Sequence, residues 1–234
     1  MDNEKEEEDE DEEKEKGRRG DEVVVGRWGE EDLLRGRKFD VIILDYLIGS
    51  IDGFEPYTQD MIFGRLGVHL AEGGRMYVVG MEPIPDQPTT GRSTQESGED
   101  DNNHTQLVIK AQGLVCEMRR LRDACILLAG HRCYREFPLS WIHRQISSST
   151  SSLHISNTKS FSILHSPSSF TKQLNVARSK LEYMDSEVMR EGMRIKINEL
   201  ENMFNETLKK MNAKNVPLSF DYIVQITKDS CNNT

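Results

Sequence analysis

Phe39-Asp40-Val41-Ile42-Ile43-Leu44-Asp45-Tyr46 decides the fold of this chain. The run from Val41 to Leu44 is apolar without interruption, rich in β-branched residues and bounded by acids, which predicts a short strand. Continuous rather than alternating hydrophobicity predicts burial on both faces, as in a parallel sheet. A parallel neighbour then requires a crossover helix. Ile62, Phe63, Leu66 and Leu70 stand at helical spacing and predict that helix over Glu55 to Leu70. Gly73-Gly74 ends it, and Arg75-Met76-Tyr77-Val78-Val79-Gly80 is the returning strand.

Working outward from this unit, the 234 residues at 36% apolar content suit one core with appendages. The formal net charge is −10, of which residues 1–22 carry −8, so the body is nearly neutral. The run from Glu6 to Glu13 has nothing to bury, and residues 1–21 are expected to form a disordered acidic tail. The rest, residues 22–230, reads as one α/β domain. It carries a polar insertion at 83–104, with several prolines and acids, and a Ser-rich loop at 147–169. Within that loop only a short strand around Phe161 to Leu164 is expected, and a helix is expected over Thr105 to Gly130. Thr171 to Met211 is the longest helical signal. Its apolar register changes phase near Gly192, which predicts a bent helix or helix pair, or a homodimer through a coiled coil over 171–211.

Several function classes fall away on the same evidence. No basic stripe with interleaved aromatics points to nucleic acid. No apolar stretch approaches a membrane span and no leader is legible, so a cytoplasmic location is expected, with the nucleus left open. Cys116, Cys125, Cys133 and Cys231 include no CxxC pair, and His131 with Cys133 has no second ligand pair, so no metal is expected. No GxSxG, GxxxxGK[ST] or HExxH occurs to support another enzyme class.

The strand from Phe39 to Tyr46, a helix ending at Leu70, and Glu72-Gly73-Gly74-Arg75-Met76-Tyr77-Val78-Val79-Gly80 together resemble the fourth and fifth strand region of class I S-adenosylmethionine-dependent methyltransferases. Val23-Val24-Val25-Gly26-Arg27-Trp28 resembles the end of that family's third strand and its adenine loop. Tyr134 to Trp141 followed by Phe161 to Leu164 is similar to the helix and sixth strand, and Phe220-Asp221-Tyr222-Ile223-Val224-Gln225-Ile226 to the seventh. The resemblance implies an incomplete Rossmann-like α/β sheet, mostly parallel with an antiparallel C-terminal edge strand.

It further implies S-adenosyl-L-methionine as cofactor, with Gly26, Trp28, Asp45 and Tyr46 beside it. Asp45 also earns its place by topology, because open α/β sheets bind ligands at the carboxyl ends of strands. Glu82 has the same topological claim on the acceptor side, where Tyr57, Gln59, Tyr134, Arg135 and Trp141 are candidates to shape a pocket. Methyl transfer from a sulfonium is a single displacement that asks mainly for alignment, so no fixed triad is expected, and Asp45, Glu82 and His131 are bases by type alone.

The sequence departs from the family at its most diagnostic point. A glycine-rich turn, where a missing Cβ admits the cofactor, occurs nowhere, and Arg27 stands where the family often has aspartate. Two readings follow: a methyltransferase, whole or truncated, acting on an unidentified acceptor, or a non-catalytic remnant serving as a binding or assembly subunit.

Overall fold

The run after Lys38 extends as β1 (Phe39–Asp45) in a computed structural model that describes residues 21–30, 32–88, 99–149 and 152–229. The chain divides between Arg35 and Gly36. In the first unit the described residues hold turns and no strand, and Val23 and Val25 are exposed. The strand expected at Val23-Val24-Val25 does not form, since three residues offer too little apolar surface to hold a strand without a ladder partner. The acidic run of residues 1–20 lies outside the described residues.

In the second unit, the path after β1 is α1 (Leu47–Phe54), a 3₁₀ turn at Gln59–Met61, α2 (Ile62–His69) and β2 (Leu70–Met81). Of the helix expected over Glu55 to Leu70, the α-helical part is α2 alone; residues 55–58 are a turn, a 3₁₀ turn follows, and α1 lies before the expected range. Gly73 takes a left-handed φ of 71° inside β2, so Gly73-Gly74 bends the strand instead of ending the helix. Next come α3 (Glu99–Leu128), α4 (Leu139–Ser149) and β3 (Leu153–His165). The Ser-rich loop is thus mostly a thirteen-residue strand, whose serines are exposed and whose Thr158 is half-buried. Residues 89–98 of the polar insertion lie outside the description, and its last residues belong to α3.

Two more helices, α5 (Pro167–Lys180) and α6 (Glu187–Lys210), precede β4 (Val216–Lys228). Ser166 starts α5 with a reciprocal cap: its Oγ accepts from the Ser169 N–H at 3.2 Å, and Ser169 Oγ accepts from the Ser166 N–H at 2.9 Å. Ser186 caps α6. The break lies at Leu181–Ser186, not at Gly192, which sits inside α6, because Ser186 supplies a helix start that the apolar pattern does not reveal. The expected helix pair forms, and its apolar stripes, including Leu174, Ala177, Ile197, Leu200 and Phe204, are buried with α3 inside this chain.

The four strands lie in the order β1-β2-β4-β3. β1 pairs parallel with β2, while β4 pairs antiparallel with both β2 and β3. Three strands thus run one way and β4 alone runs the other. The C-terminal strand is antiparallel as expected, yet it lies inside the sheet, and β3 forms that edge.

Two cores hold the unit. On one sheet face Leu44, Met76, Val78 and Val224 pack under α1, α2 and α4; beside it, α3, α5 and α6 close around Phe170 and Phe204, whose rings stack at 4.1 Å. Burial of β1 on both faces does not hold. Leu44 is 1% exposed, but Val41 and Ile43 on the opposite face are 53% and 66% exposed, because no described helix covers that side of β1.

Candidate functional site at the carboxyl ends of β1 and β2

Asp45 closes β1, and the chain turns at Tyr46, whose φ of 49° is left-handed for a residue with a Cβ. The turn is held on both sides. Tyr46 N–H donates to Val79 O at 3.1 Å, continuing the ladder with β2, and the Tyr46 carbonyl accepts from Ser50 N–H and Ser50 Oγ in α1. Such backbone strain persists only where the surroundings over-determine it. Its result is to aim the phenol across the strand ends, where its hydroxyl donates to Asp221 Oδ1 at 2.9 Å. Asp221 stands opposite Met81 in the β2–β4 register, at the same end of the sheet.

Burial, the bond to Asp221 and the nearby charges of Asp221, Asp45 and Glu136 push the Tyr46 hydroxyl from 10.0 up to about 12. It therefore stays a donor across the neutral range. Glu136 reaches this cluster because α1 is notched. A Cβ at Gly49 would lie 3.0 Å from Arg135 O and 3.2 Å from Glu136 Oε2, and one at Gly53 would lie 2.5 Å from the Tyr134 ring. Glycines one helical turn apart thus let residues 134–136 cross directly over α1. Burial pushes the Glu136 carboxyl above its ordinary range; the Arg122 guanidinium opposes this, and Asp221 adds to it. Asp52, on the same helix and 5% exposed, accepts from Gln59 Nε2 at 3.3 Å and faces Arg135 Nε at 3.7 Å.

The other candidates divide. Glu82 does lie past the end of β2, but its carboxylate accepts from the Leu139 N–H at 2.8 Å, satisfying the start of α4. Trp141 packs on Phe137 and Phe63 within the core. Tyr57 is 80% exposed in the turn after α1, and Gln59 is buried against Asp52. His131 lies against Tyr183, following α3. Gly26 and Trp28 belong to the first unit. Cys133 Sγ donates to Asp123 O, and among the described residues no group of three His, Cys, Asp or Glu is placed to hold a metal. No described helix is long and apolar enough to cross a membrane.

Asp221 and Glu136 were missed as site residues. Asp221 sits 175 positions from Tyr46, and the only sequence hint is that Phe220-Asp221 repeats the Phe39-Asp40 opening of β1. The assembled group is a neutral hydroxyl with three carboxylates, a donor set that suits a cationic group and can accept a proton.

No protein-family model matches the chain, and no curated protein matches it. Among solved structures it is similar to the YcgJ protein of Bacillus subtilis, at 14% identity with a TM-score of 0.38, over 86% of this chain and 69% of that one. It is similar to the apo form of mycolic acid cyclopropane synthase CmaA1, at 11% identity and 0.39, over 97% and 71%. A third is coclaurine N-methyltransferase bound to N-methylheliamine and SAH, at 12% and 0.37, over 94% of this chain but 56% of that one. Scores this low leave the function to be argued from the residues.

Proposed function

We propose that the chain carries the acceptor-side half of an S-adenosylmethionine-dependent methyltransferase site. The observation that carries this reading is the Tyr46 to Asp221 hydrogen bond across the carboxyl ends of β1 and β2, with Asp45 and Glu136 around it. That is the end of an open α/β sheet at which ligands bind. The acidic donor set fits the cationic sulfonium and ammonium end of the cofactor; the chain has no glycine turn for the adenosine end. Asp45, Tyr46 and Asp221 would hold the cationic end, and the bound cofactor would supply an electrophilic methyl group. The chain's own residues would orient the acceptor, with Asp221 or Glu136 taking a proton from it where the acceptor has one to lose.

Isothermal titration of the purified chain with S-adenosylmethionine tests the reading. Micromolar binding that weakens at least tenfold in Asp221→Asn supports it; no detectable heat overturns it.

The second reading, a non-catalytic binding or assembly subunit, is favoured by one observation. β1 hydrogen-bonds on one side only among the described residues, and apolar Val41 and Ile43 are exposed on it. A subunit that lacks cofactor binding and associates through β1 fits this reading.

A further inference from the structure

We propose that β1 pairs with β1 of a second copy of this chain, in an antiparallel ladder about a two-fold axis at Val41. The proposal stands apart from the methyltransferase reading and rests on three observations.

The first is the open edge. β1 ends the sheet and, among the described residues, is bonded only to β2, so one row of its backbone donors and acceptors faces outward. Such a row is a template for another strand. Common edge defences are missing: there is no proline in β1, and its two central outward residues are Val41 and Ile43 rather than lysines.

The second is hydrogen-bond parity. Tyr46 N–H bonds to Val79 O of β2. In a parallel pair both backbone groups of a residue turn to the same neighbour, and they alternate along the strand. Even-numbered residues of β1 therefore face β2, and Val41, Ile43 and Asp45 turn their N–H and C=O outward. An antiparallel self-pairing can form only when outward residues meet outward residues, so its axis must pass through a residue and not between two.

The third is charge complementarity, which selects among those axes. With the axis at Val41, Val41 meets Val41, Ile43 meets Phe39 and Asp45 meets Arg37 of the second copy. The symmetry makes the last two pairs twice. An axis at Ile43 sets Asp45 against Val41, one at Phe39 sets Arg37 against Val41, one at Ile42 sets Asp45 against Phe39 and one at Asp40 sets Arg37 against Ile43, so each leaves a charge facing an apolar residue. Only the Val41 axis matches apolar with apolar and acid with base across all five pairs, with Val41 and Ile43 exposed and Arg37 two residues before the start of β1. An isologous contact of this kind closes on itself and joins the two four-stranded sheets into one continuous sheet.

Sedimentation velocity on the full chain tests it. The expected result is a species of twice the chain mass at micromolar concentration, with dissociation strengthened about tenfold in Arg37→Asp alone and in Asp45→Arg alone, since each puts like charges opposite twice. Mixing the two variants restores dimer, because each acid at position 37 or 45 of one chain then faces a base at position 45 or 37 of the other, and the restored dimer shows that both variants fold. A monomeric wild type, or a wild-type dimer indifferent to both reversals, overturns the proposal, as does a mixture that stays monomeric.

Discussion

The Tyr46 hydroxyl donates to Asp221 at 2.9 Å and so ties the turn after the first strand to the last strand. The bond has a pH signature. Because the folded state raises the tyrosine from 10.0 to about 12, it favours the protonated phenol. Its contribution is fully present below about pH 10 and is lost as pH rises toward 12. Tyr46→Phe should cost about 1 kcal/mol near neutrality, a value kept low because the ring is 39% exposed. Urea unfolding at neutral and alkaline pH checks this: the gap between wild type and variant should close as the pH passes about 10.

Glu136 gives a prediction of opposite kind. Its carboxyl is raised by burial first, with Arg122 opposing and Asp221 adding. Its ionisation therefore opposes folding, and stability falls as pH rises through the ordinary glutamate value to the folded one. Glu136→Gln should melt at higher temperature than wild type at neutral pH, and the difference should vanish in acid. A variant less stable than wild type at neutral pH would mean that the Arg122 charge dominates.

Gly80 is fixed by close approach. It pairs with Tyr222, and a Cβ there would lie 2.5 Å from the Tyr222 Oη, which donates to Phe137 O at 2.7 Å. Gly80→Ala should cost about 1–3 kcal/mol by overpacking. Combined with Tyr222→Leu, the loss should be less than the sum of the single changes, as a double-mutant cycle by chemical denaturation would read.

The stacked rings of Phe170 and Phe204, 1% and 0% exposed, centre the three-helix layer. Phe204→Ala should cost about 3–5 kcal/mol in denaturant unfolding. A loss under about 1 kcal/mol would show that the layer adds little to the fold.

Much of the frame was legible because local pattern and tertiary demand agree. The Val41 to Leu44 run, the returning strand before Gly80 and the strand at Phe220 to Ile226 all formed. Where reading failed, a distant partner decided. The serines of β3 look like loop by composition, yet a ladder with β4 holds them extended. Val41 and Ile43 read as doubly buried because hydrophobicity does not reveal which side of a strand has a helix over it. In the candidate site, Asp45 was expected from its place at a strand end and Tyr46 from the family resemblance. Glu136 was not, because its approach depends on Gly49 and Gly53, whose spacing on α1 has meaning only once residues 134–136 are seen to cross them. Glu82 and Trp141 have the chemistry of a site, but their partners are a helix N–H and two aromatic rings.

The place of β4 sets an order on the birth of the molecule. β2 and β3 each have β4 as a ladder partner, and β4 begins only at Val216. As a ribosome delivers the chain, β2 waits with one side unzipped while the whole stretch from Glu82 to Asn215 is made. Nothing local can relieve that wait, since sheet closure is a long-range event. The nascent chain should therefore be a client of chaperones that shield unpaired strands, and stalled products ending before Val216 should aggregate where the finished chain does not.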